Sequence, residues 1–376
     1  MELYIGENIK RLRRQKGITQ ETLAEHMHIS AAAVSKWERG ETLPDISMII
    51  PLASYFDVST DEILGLSSVK NEETIRRYLE ESRRLAAMGK ARERFDLIAK
   101  AYGEFPNDWR IIEAYMWQLN YDPSCTAPYG NEVHRDELYR LCERVLDDCT
   151  IDKTRYAALS VLGGLYLLDG NRDKAIENAK RFPDYWMTEG EELEHCYDCE
   201  KGEEEEWFAQ LRENIWDLTD ILHVKIRNAA LTARALTPEE QIKHLQKAVS
   251  LIKIIFDEGD YGFYYQDLSD LYLWIANRYV MSDNPDAALE SYEAGLACAK
   301  KYDELPKITT HTSFLVRGKQ FDRSRTNSDT EANCVSRQLD ALRSWNICQK
   351  IKDDPRMQAL LTKYEKFVGN KRDYSC

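Results

Sequence analysis

ITQETLAEHMHISAAAVSKWERG, residues Ile18 to Gly40, holds two short helical patterns joined by a tight turn. Thr19 is a good N-cap, because its side-chain oxygen can take up a backbone N–H that the first turn leaves unpaired. Leu23, Ala24 and Met27 then fall on one inner face. Ala24 is small where two helices must cross closely. Ser30 caps the next helix, Val34 and Trp37 share its inner face, and Gly40 stops it. Two helices with this short connection have helix-turn-helix spacing.

The flanking residues complete a bundle. Gly6 to Lys16 carries Ile9 and Leu12 on one face, and Gly17 suits a left-handed cap. Pro44-Asp45 starts a fourth helix with Ile49, Leu52, Ala53 and Phe56 inside. Ser59 and Glu62 have capping-box spacing ahead of Ile63 and Leu64. The pattern predicts five helices within residues 1–66.

This stretch resembles the Cro/C1-type helix-turn-helix of the xenobiotic-response-element regulators. The resemblance is carried by Thr19-Gln20-Glu21, Leu23-Ala24, Ser30, Val34-Ser35-Lys36-Trp37-Glu38, Gly40, Pro44-Asp45 and Leu52-Ala53. It covers under a fifth of the chain. His28 departs from it, standing where the family usually has Gly; His is among the few other residues enriched at positive φ. The resemblance implies a λ-repressor-like DNA-binding domain whose third helix reads bases. Ala31, Ala32, Ser35 and Lys36 are expected on that helix's outer face. Lys36 can donate to guanine O6 or N7, Ser35 can donate or accept, and an alanine methyl can meet a thymine methyl. Gln20 is expected to reach a phosphate or an adjacent base edge. Backbone N–H groups at the Thr19 and Ser30 helix starts also favour phosphate. Arg39 is a candidate phosphate clamp. The plainer alternative makes the alanines helix formers and Lys36 a solvated charge.

The 376 residues suffice for two or three domains. With 43% hydrophobic and 31% charged residues, a folded protein is expected. No apolar run approaches the roughly 20 residues that span a bilayer, and MELYIGENIK has no apolar signal core, so a cytoplasmic protein is expected. Net charge is −14, of which residues 1–66, with 7 basic and 10 acidic side chains, hold −3. Lys10, Arg11, Arg13, Arg14 and Lys16 cluster near the end of the first helix and, with Lys36 and Arg39, predict a local positive surface. An acidic body repels DNA elsewhere, which favours a homodimer using two half-sites. The nine cysteines form no regular framework, and thiols are expected. His195, Cys196 and Cys199 lack a second close pair to complete zinc ligation, so no metal is expected. No P-loop, GxSxG, HExxH or dinucleotide fingerprint is present, which points away from an enzyme and from any cofactor.

After a short polar joint at 67–71, helical periodicity fills 72–376. In TRYAALSVLGGLYLLDGNRDKAIENAKRFPD, Leu162, Gly163, Tyr166, Gly170, Ala175 and Phe182 take tetratricopeptide-repeat spacings. A second copy carries Ile275, Ala276, Tyr279, Ala288 and Tyr292, and a weaker one runs from Tyr78 through Ala91 and Phe95 to Pro106. Glu204–Arg234 and Pro238–Glu258 read as a further pair. The expected fold is therefore all-α, a five-helix DNA-binding domain followed by a tetratricopeptide-like α-solenoid. Such repeats line a face that takes a peptide or protein segment, and the combination resembles the Gram-positive peptide-sensing regulators. Asn228, Trp274 and Asn277, on first helices of pairs, are candidate effector contacts, although such residues are more often ordinary packing. Residues 305–331 are polar and read as an irregular segment. An alternative reading makes this an interaction or antitoxin-like protein whose helix-turn-helix is a docking unit.

Overall fold

Short polar caps decide where the first helices begin. Thr19, Ser30, Asp45 and Ser59 each accept a backbone N–H of the turn they precede, satisfying donors that have no partner inside the helix. Gly17, Gly40 and Gly65 sit in the left-handed region, at φ 68°, 73° and 71°. The computed structural model describes residues 5–125, 130–185, 187–197, 199–233, 235–328 and 330–371. It begins with α1 (Ile5–Gln15), α2 (Gln20–His26), α3 (Ala31–Glu38), α4 (Ile46–Phe56) and α5 (Thr60–Leu64). Ile9, Leu23, Val34, Leu52 and Ile63 are fully buried where these helices meet. His28 adopts φ 57° in the turn before α3, as its position requires. The capping box at Ser59 is half formed: Ser59 takes the Glu62 N–H, but the Glu62 carboxylate turns to Arg11 at 3.0 Å.

The chain divides into two compact units. One comprises Met1–Ser82 and Phe95–Ala179, the other Arg83–Arg94 and Lys180–Cys376. Residues 67–71, expected as a joint, are helical and belong to α6 (Leu66–Met88). The polar stretch SSVKNEET contains neither Gly nor Pro, so nothing in it ends a helix.

The first unit continues through all but the first turn of α7 (Ala91–Glu104), then α8 (Trp109–Asn120), α9 (Arg135–Asp148), α10 (Asp152–Leu168) and α11 (Arg172–Ala179). The best-ordered repeat is α10 and α11, with Leu162 and Ala175 buried and Gly170 turning at φ 68°. Phe182 is 37% exposed and lies beyond α11, which ends at Ala179. The pair α8 and α9 packs through Ile112, Met116, Leu138 and Cys142.

The second unit holds α12 (Glu189–Cys196), α13 (Glu204–Thr232), α14 (Pro238–Ile255), α15 (Tyr264–Met281), α16 (Pro285–Glu304), α17 (Cys334–Ser344) and α18 (Pro355–Glu365). Pro238 occupies the first position of α14 beneath a reciprocal Thr237–Glu240 capping box. Ala276, Ala288 and Tyr292 are buried between α15 and α16, as the repeat spacing requires, and Ile275 is buried on the side of α15 that meets α14. The segment 305–331 is more ordered than its composition suggests. It contains an antiparallel hairpin of β1 (Ile308–Thr310) and β2 (Gln320–Asp322), with Thr309 opposite Phe321. The Asp260 carboxylate accepts the backbone N–H of Thr312 at 2.8 Å and of Ser313 at 2.7 Å, and Val316 is fully buried. Among the described residues every other extended element is helical, and no helix is long and apolar enough to cross a membrane.

Candidate nucleic-acid interface

The inner face of α3 is fixed by packing and by one buried acid. Val34 and Trp37 lie in the core, and Glu38 is 9% exposed. A buried carboxylate needs full pairing, and Glu38 has it. Arg13 Nε and Nη2 donate to its two oxygens at 2.6 and 2.9 Å, and Gln20 Nε2 donates to Oε2 at 2.8 Å. Arg13 also donates to the Ile18 carbonyl at 2.8 Å. Glu38 thus ties α3 to α1 and to the start of α2. Its hydrogen bonds raise the Arg13 guanidinium pKa, against the opposing effect of burial.

This network positions Gln20. One N–H of its amide is spent on Glu38, which orients the group and leaves the second N–H available. On the outer face of α3, Ala32 and Lys36 are exposed, and Ala31 and Ser35 are half-buried. Ser30 caps the helix by accepting the Ala33 N–H at 3.2 Å. Arg39 follows the last turn and is held by Glu41, with Nε–Oε1 at 2.6 Å and Nη2–Oε2 at 3.1 Å. Its Nη1 also donates to Ser35 Oγ. The carboxyl of Glu41 is lowered by hydrogen bonding to Arg39, with Lys36 adding to the effect. Ser35, Lys36, Arg39 and Glu41 therefore form one charged patch, in which Glu41 occupies the place an anion from outside would take.

The expected positive surface on α1 is largely consumed internally. Arg11 pairs with Glu62, Arg13 with Glu38 and Arg14 with Asp148, while Lys16 donates to the Tyr55 carbonyl at 2.9 Å. A cluster legible as charge in the sequence finds its acids only after folding. Elsewhere on the head, Leu43, Ile46 and Ile50 stand 56%, 85% and 70% exposed. They form an apolar strip at the start of α4 that the inward periodicity did not draw attention to.

The effector candidates separate. Asn228 is exposed and Trp274 half-buried. Arg227 links them, with its guanidinium 5.3 Å from the Trp274 ring and its Nε donating to Asn228 Oδ1 at 3.2 Å. Asn277 belongs to the core: it is 5% exposed and its Oδ1 accepts the Tyr292 hydroxyl at 2.6 Å. The expectation of a ligand contact there fails, because Asn277 turns toward α16. Sequence reading passed over Asp220, His223, Tyr264 and Asp267, which share the Arg227–Trp274 side of α13 and α15. Their signal is polar residues at three- and four-residue spacing on one face of each helix. At the other candidate cluster, His195 Nδ1 lies 2.8 Å from the Glu191 carbonyl, Cys196 is an exposed thiol, and the Cys199 side chain lies outside the described residues.

A helix-turn-helix family model matches residues 9–63. The chain is similar to the HTH-type transcriptional activator BcrR of Enterococcus faecalis, 36% identical over 63 residues, or 17% of this chain and 31% of that protein. It is similar to the HTH-type transcriptional regulator ImmR of Bacillus subtilis, 35% identical over 72 residues, or 19% of this chain and 57% of that protein. It thus spans less than two thirds of either relative. The uncharacterized HTH-type transcriptional regulator YazB of Bacillus subtilis is 36% identical over 58 residues, which cover 15% of this chain and 84% of YazB. Among solved structures, Bacillus thuringiensis PlcR in complex with the peptide PapR7 and DNA aligns with 80% of this chain and 97% of its own, at 14% identity and a TM-score of 0.34. Apo ComR from S. thermophilus aligns with 80% and 94%, at 12% identity and a TM-score of 0.29.

Proposed function

Because this chain belongs to the Cro/C1-type helix-turn-helix transcriptional regulators, we propose that it binds operator DNA as a homodimer and that its helical repeats couple this binding to a peptide or protein effector in the cytoplasm. One observation carries the DNA half of the reading. The inner face of α3 is locked by Val34, Trp37 and Glu38, and the opposite face presents Ala32, Ser35 and Lys36. In this reading Ala31, Ala32, Ser35 and Lys36 meet base edges. Gln20, the Ser30 end of α3 and Arg39 meet phosphates. Arg39 exchanges Glu41 for a phosphate on binding.

Few cations of the head remain uncommitted, so each half-site gains little from counterion release. Two linked heads supply what one lacks. The exposed Leu43, Ile46 and Ile50 support self-association of the head, since contiguous apolar surface is usually a contact surface. The effector half rests on α13 and α15, first helices of successive pairs, which bring Arg227, Asn228 and Trp274 to one face. The role is binding rather than catalysis.

Fluorescence anisotropy with DNA from upstream of the protein's own gene tests the reading. Lys36→Glu is expected to lower affinity at least tenfold, as one base or phosphate contact exchanged for repulsion implies. Unchanged sequence-selective binding by both Lys36→Glu and Arg39→Glu would overturn the assigned head.

A further inference from the structure

The side of α13 that carries Arg227 also carries Asp220 and His223, and on α15 Tyr264 and Asp267 stand on the side of Trp274. The two helices meet there through side chains. His223 Nε2 lies 3.3 Å from Asp267 Oδ1, and the His223 and Tyr264 rings are 5.6 Å apart. Tyr264 and His223 form the floor, 0% and 1% exposed; Asp267 is half-buried, and Asp220 stands exposed at the rim.

Two atoms of this cluster are buried without a hydrogen-bond partner: the Tyr264 hydroxyl and Asp267 Oδ2. Native proteins leave few such groups. Both can act as acceptors. His223 Nδ1 donates to the Thr219 carbonyl at 3.0 Å, so the proton that charges the ring sits on Nε2 and faces Asp267 Oδ1; burial acts to lower the ring's pKa, and this pairing outweighs it. Burial raises the Tyr264 hydroxyl pKa, and the nearby carboxylates of Asp220, Asp267 and Asp217 push it the same way. Arg227 covers the Trp274 ring and bonds Asn228, and among the described residues it makes no ion pair with these carboxylates. Asp220 makes no hydrogen bond or ion pair among the described residues. Its carboxyl pKa is raised, by partial burial first and then by Asp267, against the opposing pull of His223 and Arg227.

Two buried acceptors without partners and an exposed carboxylate at Asp220 call for a ligand that supplies donors and positive charge. We propose that Tyr264, Asp267, His223 and Asp220 form the seat of a cationic group, an ammonium or guanidinium, carried by the effector. The proposal rests on reading the repeats as effector-sensing. The cation donates to Asp267 Oδ2 and to the Tyr264 oxygen, and Asp220 closes over it from the rim.

The test incubates the full-length protein with a pool of synthetic N-acetylated heptapeptides whose central residue is Lys, Arg, Gln or Glu and whose flanks vary. Retained peptides are identified by mass spectrometry, and spermidine is titrated in parallel. At least tenfold enrichment of Lys or Arg peptides over Gln is expected. Asp220→Asn and Tyr264→Phe should each reduce that enrichment, with melting temperatures confirming that both variants fold. Glu290→Gln, on α16, should behave as wild type. Peptides retained without charge preference would overturn the cation seat and leave peptide sensing standing. Binding of spermidine alone, lost in Asp220→Asn, would support the seat and overturn the peptide reading. Binding of neither would overturn both.

Discussion

Replacing Glu38 by Gln removes the charge that joins three helices of the head. Arg13 and Glu38 are 12% and 3% exposed at their side chains, and breaking a buried pair from one side costs about 3–5 kcal/mol. Part of this is recovered, because Arg13 keeps the Ile18 carbonyl at 2.8 Å and the amide can still accept one bond. A loss of about 2–3 kcal/mol remains. A domain of this size sits near the low end of the usual 5–15 kcal/mol, so the head stays mostly folded but opens far more often. Hydrogen exchange by mass spectrometry on the full chain reads this directly. Amides of α1, α2 and α3 that exchange only by opening the head should exchange about 30- to 150-fold faster at equal pH, a factor of ten for each 1.4 kcal/mol. The double variant Arg13→Met, Glu38→Leu removes both charges and should exchange closer to wild type. DNA affinity in that double variant should still fall, because Gln20 loses the acceptor that orients it. Wild-type protection in Glu38→Gln, or a double variant worse than the single, would refute the reasoning.

Four further outcomes follow from the structure. His28→Gly should stabilise the head by about 1 kcal/mol, by relieving the left-handed φ of 57°; a denaturant midpoint that falls would contradict it. Glu41→Gln frees Arg39 and removes an acid beside Lys36. DNA affinity should rise two- to fivefold, with a steeper dependence on salt, and an unchanged salt slope would count against Arg39 as a phosphate contact. Tyr292→Phe leaves Asn277 Oδ1 in the core with only the weak Cys348 thiol donor at 3.6 Å and should cost about 1–2 kcal/mol, measured by urea denaturation. His223 has its pKa raised: burial acts to lower it, and the Asp267 partner outweighs that. Its contribution to stability is full below the ordinary histidine value and is lost as pH rises through the raised folded value. Melting temperature should therefore decline from pH 6 to pH 8, and His223→Gln should flatten that decline.

Local chemistry made much of the head legible. Caps at Thr19, Ser30, Asp45 and Ser59 and stops at Gly17 and Gly40 act over three or four residues, and a sequence displays that range openly. The repeat copies at Leu162–Ala175 and Ile275–Tyr292 were equally visible, since small and aromatic residues recur wherever two helices cross. Partners distant in sequence were not visible. Arg13 meets Glu38 across 25 residues and Arg14 meets Asp148, so a basic stripe became a set of internal pairs. Asp260 orders the 305–331 segment from more than 50 residues away, against a composition that reads as loop. Asn277 and Trp274 looked alike as polar or aromatic residues on a first helix. One turned inward to Tyr292 and the other met Arg227, a difference set by rotation about the helix axis. The cluster at Tyr264 needed burial and partner geometry together.

Selection of sheared genomic DNA on the purified full-length protein, followed by footprinting of the enriched fragments, tests the central claim most directly. The account predicts enriched fragments sharing a two-fold-related sequence, with half-site centres about 34 Å apart, one helical turn, and loss of enrichment in Lys36→Glu. Retention of fragments with no shared sequence, or equal enrichment by Lys36→Glu, would contradict the assignment of α3 as the reading surface.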